Sequence, residues 1–343
     1  MANLTRFENS DIVNDVQKVV TSTWSDNTNN LTTQFTSSAQ AIFTTATSSG
    51  AHFIEVFHDA TSASAQFAVA YGNKAGSGSQ DFTNDAGAIG NSPSKNIYNQ
   101  YRQLVFGDEG SNFNFNGHVP DSIFVININR ARYKHNLKPG TLDLKISQSR
   151  TAANSPELRL TDDSVTTTGS ATVTNAGRQF NIVSGSLGTM SGSQLTQVPS
   201  TSGSYGLFYP DTGIIILNGD AISHRIESCA VTASANTANN NHRKLVQHLS
   251  ASSYFIVDSE EKVSSQFYFA RAKNNQYNYT TNPSFVDSSG NVNISSFADN
   301  PTTFITTVGL YNDNNDLVAV AKLSQPVTKD FTKEALIRVK LDY

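Results

Sequence analysis

The carboxyl-terminal stretch over residues 300–343 constrains the fold of this chain more than any other part of the sequence. Residues 303–311 are rich in β-branched and aromatic side chains, and residues 317–323 form a second apolar run. The Asn/Asp stretch 312–316 between them consists of turn-forming residues, so the sequence predicts a β-hairpin. Strand alternation places four residues of each run on one face: Phe304, Thr306, Val308 and Leu310 in the first, and Leu317, Ala319, Ala321 and Leu323 in the second.

A third strand is predicted after the hairpin. Residues 335–343 alternate again, with Ile337, Val339, Leu341 and Tyr343 on one face and charged residues on the other. Short apolar runs separated by turn residues also recur between residues 150 and 203, which is typical of sandwiches and barrels. We therefore predict a mainly β protein, with antiparallel sandwich- or barrel-like sheets and one or two short helices.

Composition excludes several classes of protein. Charged residues make up 15% of the chain, and the formal net charge is -4, so the sequence has no global nucleic-acid signature. The single cysteine, Cys229, excludes an intrachain disulfide framework and a cysteine-based zinc site. No secretory signal or membrane span is visible, and we expect synthesis in a cytoplasm.

Three regions are predicted along the chain. They are an amino-terminal arm at residues 1–50, an α+β domain at residues 51–150 and a β-rich domain at residues 151–343 that ends in the hairpin and terminal strand. Within the arm, apolar residues at helical spacing predict a helix over residues 11–20, with Ser10 as its cap. In the second region, Ser92 and Pro93 start a helix that Gly107 closes, near residues 93–105.

The sequence carries no assembled catalytic or metal-binding motif. Nucleophile-elbow, phosphate-loop, dinucleotide and His-Glu-x-x-His patterns are all missing, so we predict no enzyme activity, no catalytic residues and no cofactor. His52 and His58 share a predicted strand face but lie roughly 20 Å apart, too far to hold one metal ion. The acidic stretch 313–316 lacks the glycine and glutamate of an EF-hand, and a tight turn is the favoured interpretation there.

One basic cluster is a candidate partner-binding surface. Arg130, Arg132 and Lys134 follow the strong apolar strand at residues 122–129 and, if that strand continues, share one face. Because the chain around the cluster is acidic, we favour an acidic protein partner over nucleic acid, with a plain solvated face as the alternative.

Several segments resemble tail proteins of contractile-tailed bacteriophages. They are residues 66–78 (QFAVAYGNKAGSG), 93–101 (PSKNIYNQY), 125–132 (VININRAR), 269–285 (FARAKNNQYNYTTNPSF), 306–313 (TTVGLYND) and 317–324 (LVAVAKLS). The terminal block is similar to baseplate and baseplate-wedge proteins of marine and cyanobacterial myoviruses. The resemblance covers both ends of the chain and little of the Ser/Thr-rich middle.

This resemblance implies a virion structural protein that takes part in tail assembly. It implies other tail or baseplate proteins as partners, several copies in a symmetric assembly, and no contact with nucleic acid or membrane. Two alternatives stay open: a neck, collar or tail-fibre attachment protein, and, from another class, a carbohydrate-binding or carbohydrate-cleaving tail protein. The family carries no catalytic residues over to this chain.

Overall fold

The computed structural model describes residues 4–36, 53–59, 64–78, 92–149, 157–166, 171–191, 203–226, 229–231, 241–280 and 283–342. The fold is mainly β, with 45% strand and 17% helix, and its antiparallel sheets include a curled half-barrel. The predicted fold class is therefore confirmed. Within the described ranges there are four α-helices, where the sequence led us to expect one or two. None of these helices is long and apolar enough to cross a membrane.

The strands of the described residues are, in chain order, β1 (Ile12–Ser22), β2 (Phe53–Phe57), β3 (Ala65–Asn73), β4 (Ser122–Ile128), β5 (Asn136–Leu137), β6 (Asp143–Ser147), β7 (Glu157–Asp162), β8 (Thr172–Thr174), β9 (Gly177–Ser186), β10 (Thr189–Met190), β11 (Gly206–Tyr209), β12 (Ile214–Asn218), β13 (Phe255–Ile256), β14 (Asp258–Ala272), β15 (Thr303–Tyr311), β16 (Leu317–Lys329) and β17 (Ala335–Asp342). The helices are α1 (Pro93–Phe106), α2 (Gly219–Arg225), α3 (Asn241–Ser252) and α4 (Ser295–Asp299). Helix α1 confirms the helix predicted near residues 93–105.

The chain divides into two compact units. Unit 1 consists of Met1–Lys18 and Lys262–Tyr343, and unit 2 consists of Val19–Glu261. These limits differ from the predicted region boundaries near residues 50 and 150. The sheet continues across residue 150, because β6 and β7 lie on either side of it and pair with each other.

Unit 2 is built on an antiparallel sheet of eleven strands, counted over the described residues. Its main path runs β13-β6-β7-β9-β11-β12-β4-β3-β2, and β8 and β10 both pair with β9. Central strands such as β4 are buried on both faces, which explains their nearly continuous apolar sequence.

Two apolar cores lie in unit 2. In β4, Ile123 and Val125 belong to the core that contains Tyr98 and Val105 of α1. The alternate residues of β4 belong to a larger core that also contains residues of α2 and α3. Trp24 lies in this larger core, and its indole N–H donates to the backbone oxygens of Asn29 (3.0 Å) and Phe255 (2.9 Å).

Unit 1 contains two packed β layers. In one layer the strand order is β1-β14-β17, and β17 pairs with β14 from Ala335 opposite Ala272 to Asp342 opposite Ser265. The end of β1 and the start of β14, which pairs there with β5, belong to unit 2. The other layer is the predicted hairpin, β15 and β16. Leu310 of the hairpin packs with Ile337 and Val339 of β17 in a shared apolar core. The predicted terminal strand is thus present, and its apolar face is the buried one.

The helix predicted over residues 11–20 is wrong, because residues 12–20 lie in strand β1 and Asp11 ends a short 3-10 turn. Its apolar residues fit helical spacing, but they are β-branched, and such side chains pack better on a strand than on a helix. Pairing with β14 supplies the hydrogen bonds that an isolated strand lacks.

Two register shifts interrupt the hairpin, one between Ile305 and Thr307 and one between Leu310 and Tyr311. The first shift changes the face to which successive side chains point. Phe304 is consequently exposed, whereas Ile305 packs on the core of unit 1. The predicted common face is therefore correct for Val308 and Leu310 but wrong for Phe304 and Thr306. In the second run the three inward residues are Ala319, Ala321 and Leu323, and Leu317 is exposed.

Candidate functional site

A groove with a volume of about 1250 Å³ opens within unit 1. Its walls come from residues 4–7, from the end of β14, from the length of β15 and from the connecting segment between these two strands. All of these residues lie in Met1–Lys18 or Lys262–Tyr343, so the groove belongs to one unit.

The free edge of β15 forms one side of the groove. Every residue from position 302 to position 309 lines it. The lining residues come from both faces of β15, since Phe304 is exposed whereas Ile305 and Val308 pack on the core, so the groove runs along the strand edge. In the described part of the chain β15 pairs with β16 alone. The groove therefore offers main-chain hydrogen-bonding groups to an extended ligand.

Aromatic side chains line much of the remaining surface. They are Phe7, Phe269, Tyr277, Tyr279, Phe285, Phe297, Phe304 and Tyr311. Phe285 and Phe297 stack edge to face, with ring centroids 5.7 Å apart. Tyr279 and Phe304 are 51% and 61% exposed, so both are accessible to a ligand. Exposed aromatic rings of this kind are typical of protein interfaces and of sugar-binding surfaces.

A buried lysine holds the loop that carries Tyr277. Lys329 Nζ donates to the backbone oxygens of Asn274 (2.9 Å) and Asp330 (2.9 Å) and to Asn278 Oδ1 (2.7 Å). All three ammonium donors are thereby used, which a buried lysine requires. Tyr277 itself has a positive φ of 57°, and this loop geometry depends on the hydrogen bonds on either side of it.

Four charged residues line the groove, and they form two pairs. Arg271 Nε donates to Asp11 Oδ1 (2.8 Å), and the backbone N–H of Glu8 donates to Asp11 Oδ2 (3.1 Å). These hydrogen bonds, chiefly the one from Glu8, hold the pKa of Asp11 below its usual value. The second pair, Arg6 and Asp313, is 3.9 Å apart and almost fully exposed. The Asp11–Arg271 pair thus offers an ionised carboxylate and a guanidinium to a polar ligand in the groove.

The predicted basic cluster does not lie on a strand face. Arg130–Arg132 form a short 3-10 turn after Asn129, whose side chain accepts from the backbone N–H of Ala131 (3.0 Å). Arg130 turns back onto Tyr133: its guanidinium carbon lies 4.6 Å from the ring centroid, and Nη1 donates to the Tyr133 backbone oxygen (2.6 Å). The shared strand face predicted for the cluster is therefore wrong, since β4 ends at Ile128. Arg130 and Lys134 are exposed, and among the described residues no carboxylate lies within 4.0 Å of any of the three cations.

Little in the sequence indicates the groove. The Asp11–Arg271 pair joins residues 260 positions apart, and such a distance in sequence leaves no local pattern. One signal was present, because the aromatic and Asn-rich segment at residues 277–285 supplies four groove residues. The register shift after Ile305, which exposes Phe304 to the groove, has one sequence signal: Pro326 lies among the extra residues 323–326 of β16, and proline inside a strand is typical of such irregularities.

Comparison of the chain with family models, with curated proteins and with solved structures gives no match in any of the three cases.

Proposed function

We propose that this protein is a structural subunit of a contractile bacteriophage tail, placed in the baseplate wedge, and that the groove of unit 1 receives an extended segment of a neighbouring tail protein. The single observation that carries the proposal is the edge of β15 that no described strand pairs with, beside an aromatic groove. An added strand gains main-chain hydrogen bonds from such an edge, and the aromatic side chains supply buried area and selectivity.

The apolar surface of the hairpin supports a role in assembly. Several large apolar side chains of β15 and β16 are more than 40% exposed: Phe304, Tyr311, Leu317, Val318 and Val320. Contiguous exposed apolar residues are uncommon on monomeric proteins and are typical of interaction surfaces. The resemblance of this same terminal block to baseplate proteins supports the choice of a phage tail. The exposed cations Arg130 and Lys134 add a second surface suited to an acidic neighbour.

Localisation in virions tests the first part of the proposal. A phage that carries an epitope tag on this chain is expected to show the label at the baseplate end of the tail in electron micrographs. Label at the neck or on the fibres would favour the alternative positions in the virion. Purified particles without the tagged chain would overturn the proposal.

Paired aromatic variants test the role of the groove. The double variant Phe304→Ala and Tyr311→Ala removes two exposed rings from the groove and is expected to reduce incorporation into tails at least tenfold. Phe331→Ala is the matched control, because Phe331 is as exposed as Phe304 (61% each) but does not line the groove. If the double variant and Phe331→Ala are incorporated into tails equally well, the groove is not part of the interface with the neighbouring tail protein.

Carbohydrate binding is a second candidate for the groove. The observation that favours it is the exposure of Tyr277 and Tyr279, whose rings could stack on sugar faces beside the Asp11–Arg271 pair. Binding of host surface polysaccharide by the purified protein, abolished by Tyr279→Ala, would establish this candidate. We favour a protein ligand because an extended peptide would pair with the main-chain N–H and C=O groups along the edge of β15, whereas sugar binding does not require a strand edge.

A further inference from the structure

Strand β1 lies at the edge of its sheet and is exposed along nearly its whole length. Residues 12–20 are all exposed, on both faces of the strand. In the sheet order β1-β14-β17 only one edge of β1 is paired, as far as the described chain shows. Five of the exposed residues are large, β-branched and apolar: Ile12, Val13, Val16, Val19 and Val20. Natural proteins normally protect such an edge with prolines, charges or a covering element, because it pairs readily with another strand.

The apolar residues of β1 are arranged symmetrically about Val16. Reading outward from Val16 in either direction gives two polar residues and then two apolar ones. A strand with this symmetry is complementary to a second copy of itself in antiparallel pairing, because residues equidistant from the centre then lie opposite each other.

Antiparallel pairing centred on Val16 matches every position by polarity. Ile12 lies opposite Val20 of the second copy, Val13 opposite Val19, and Val16 opposite itself; Asn14 lies opposite Lys18, and Asp15 opposite Gln17. Apolar cross-strand pairs stabilise a sheet, and this register places no like charges opposite each other.

Registers displaced by two residues are unfavourable. A centre at Asp15 places two Asp15 carboxylates opposite each other and sets Ile12 against Lys18. A centre at Gln17 sets Val16 against Lys18 and Val19 against Asp15. The sequence of β1 thus specifies one register, as strands do where side-chain matching is strong.

We propose that two copies of this chain associate through β1, antiparallel about a two-fold axis at Val16, so that their β1-β14-β17 sheets become one continuous sheet. This inference does not depend on the proposed function, since it is tested on the purified protein without any phage component. If the purified protein is monomeric, the pairing of β1 is wrong and the proposed tail function is unaffected. If it is dimeric, the tail function still has to be tested by the virion experiments.

Cysteine cross-linking tests the register directly. Opposed residues of an antiparallel pair have Cα atoms about 4.5–5.5 Å apart, within the range of about 4.4–6.8 Å that a disulfide spans. Val16→Cys is therefore expected to form a covalent dimer under mild oxidation. The natural thiol, Cys229, is buried, so the unmodified chain is the control and is expected to stay uncross-linked.

Two further cysteine variants distinguish this register from non-specific contact. Val13→Cys alone should not cross-link, because two copies of residue 13 lie six positions apart along the strand, roughly 20 Å. A mixture of Val13→Cys and Val19→Cys chains should cross-link to the mixed dimer. Cross-linking of Val13→Cys to itself, or failure of Val16→Cys, would overturn the proposed register.

The mass in solution tests the association itself. Light scattering is expected to give twice the chain mass of 37.0 kDa for the unmodified protein and the chain mass for Val16→Lys. Val173→Lys is the matched control, since Val173 is an exposed valine of unit 2, and it should remain dimeric. Circular dichroism should be unchanged for both variants. A monomeric unmodified protein at high concentration, or a dimer that Val16→Lys leaves intact, would overturn the proposal.

Discussion

The ammonium group of Lys329 lies 2.7 Å from the side-chain oxygen of Asn278, although Lys329 is fully buried. Lys329→Met keeps the aliphatic stem but leaves three oxygen acceptors without their donor. Buried groups left unsatisfied cost about 1–3 kcal/mol, and we expect a loss of that size in the free energy of unfolding.

Hydrogen exchange locates the effect of Lys329→Met. Amides at residues 273–279 should exchange faster in this variant, because the loop loses its attachment to β16. Lys322→Met is the control, since Lys322 is exposed on the same strand, and its stability should change by less than about 0.5 kcal/mol. Unchanged exchange at residues 273–279 in Lys329→Met would show that other contacts hold the loop.

Gly177 and Gly117 share a φ of 96° but differ in their surroundings. A Cβ atom on Gly177 would lie 2.5 Å from Asp211 Oδ2, whereas one on Gly117 would meet nothing within 4 Å. Asp211 binds the Arg178 guanidinium, with Nη2 2.6 Å from Oδ1, so Gly177→Ala should disturb that pair as well. We expect Gly117→Ala to cost about 1–2 kcal/mol from backbone strain alone and Gly177→Ala to cost clearly more. Urea unfolding of the two variants measures the difference, and equal losses would show that Asp211 moves aside freely.

The terminal strand contributes to the core of unit 1 through alternate residues. Ile337 is buried in β17, and its neighbour Leu336 is 60% exposed. Ile337→Ala should lower the free energy of unfolding by about 2–4 kcal/mol, and Leu336→Ala is the control with little change. Deletion of residues 335–343 should unfold unit 1, which circular dichroism and hydrogen exchange would detect. A cooperatively folded truncation would show that β17 is an exchangeable arm.

Asp162 gives unit 2 a dependence on pH. The residue is buried, and burial raises the pKa of its carboxyl above the usual value. A raised folded-state pKa means that ionisation destabilises the native state, so the contribution of Asp162 to stability falls as pH rises from about 4 towards the folded pKa. Asp162→Asn removes this dependence. Urea unfolding should therefore show the variant gaining stability relative to the unmodified protein between pH 4 and pH 7, and a constant difference would exclude the pKa shift.

The three cations of the predicted partner surface are expected to behave differently. Arg130→Ala removes a guanidinium stacked on Tyr133 and should cost about 0.5–1 kcal/mol. Lys134→Ala, at an exposed position, should leave the melting temperature unchanged. Replacement of Arg130, Arg132 and Lys134 together should weaken incorporation into tails, and added salt should mimic that effect by screening. Normal incorporation of the triple variant would show that this cluster does not contact a neighbouring tail protein.

The strands could mostly be predicted from local sequence, but the faces to which some of their side chains point could not. The hairpin, the terminal strand and helix α1 follow from alternation, turn residues and caps that lie close together in the chain. The side-chain directions beyond the register shift could not be predicted, because Pro326 marks an interruption of the ladder but not the number of extra residues in β16. For the same reason alternation places Phe304 on one face with Val308 and Leu310, although Phe304 is exposed at the groove and the other two pack inward.

The errors elsewhere in the chain have similar physical causes. The apolar residues of β1 fit the period of a helix. Pairing with β14, which is distant in the sequence, makes this segment a strand instead. Nothing local in the sequence shows that Asn129 starts a 3-10 turn, so the sequence predicts that the basic cluster continues the strand. The groove depends on Asp11 and Arg271, which only the folded chain brings together.

Unit 1 is assembled from the two ends of the chain, with all of unit 2 inserted between them. A ribosome therefore releases the first eighteen residues long before their sheet partners in β14 and β17 exist. At about 5–20 residues per second, synthesis of the roughly 240 intervening residues takes about 12–50 s. Throughout that interval the valines of β1 have no strand to pair with. The order of synthesis thus gives nascent β1 strands on neighbouring ribosomes time to meet each other before unit 1 closes.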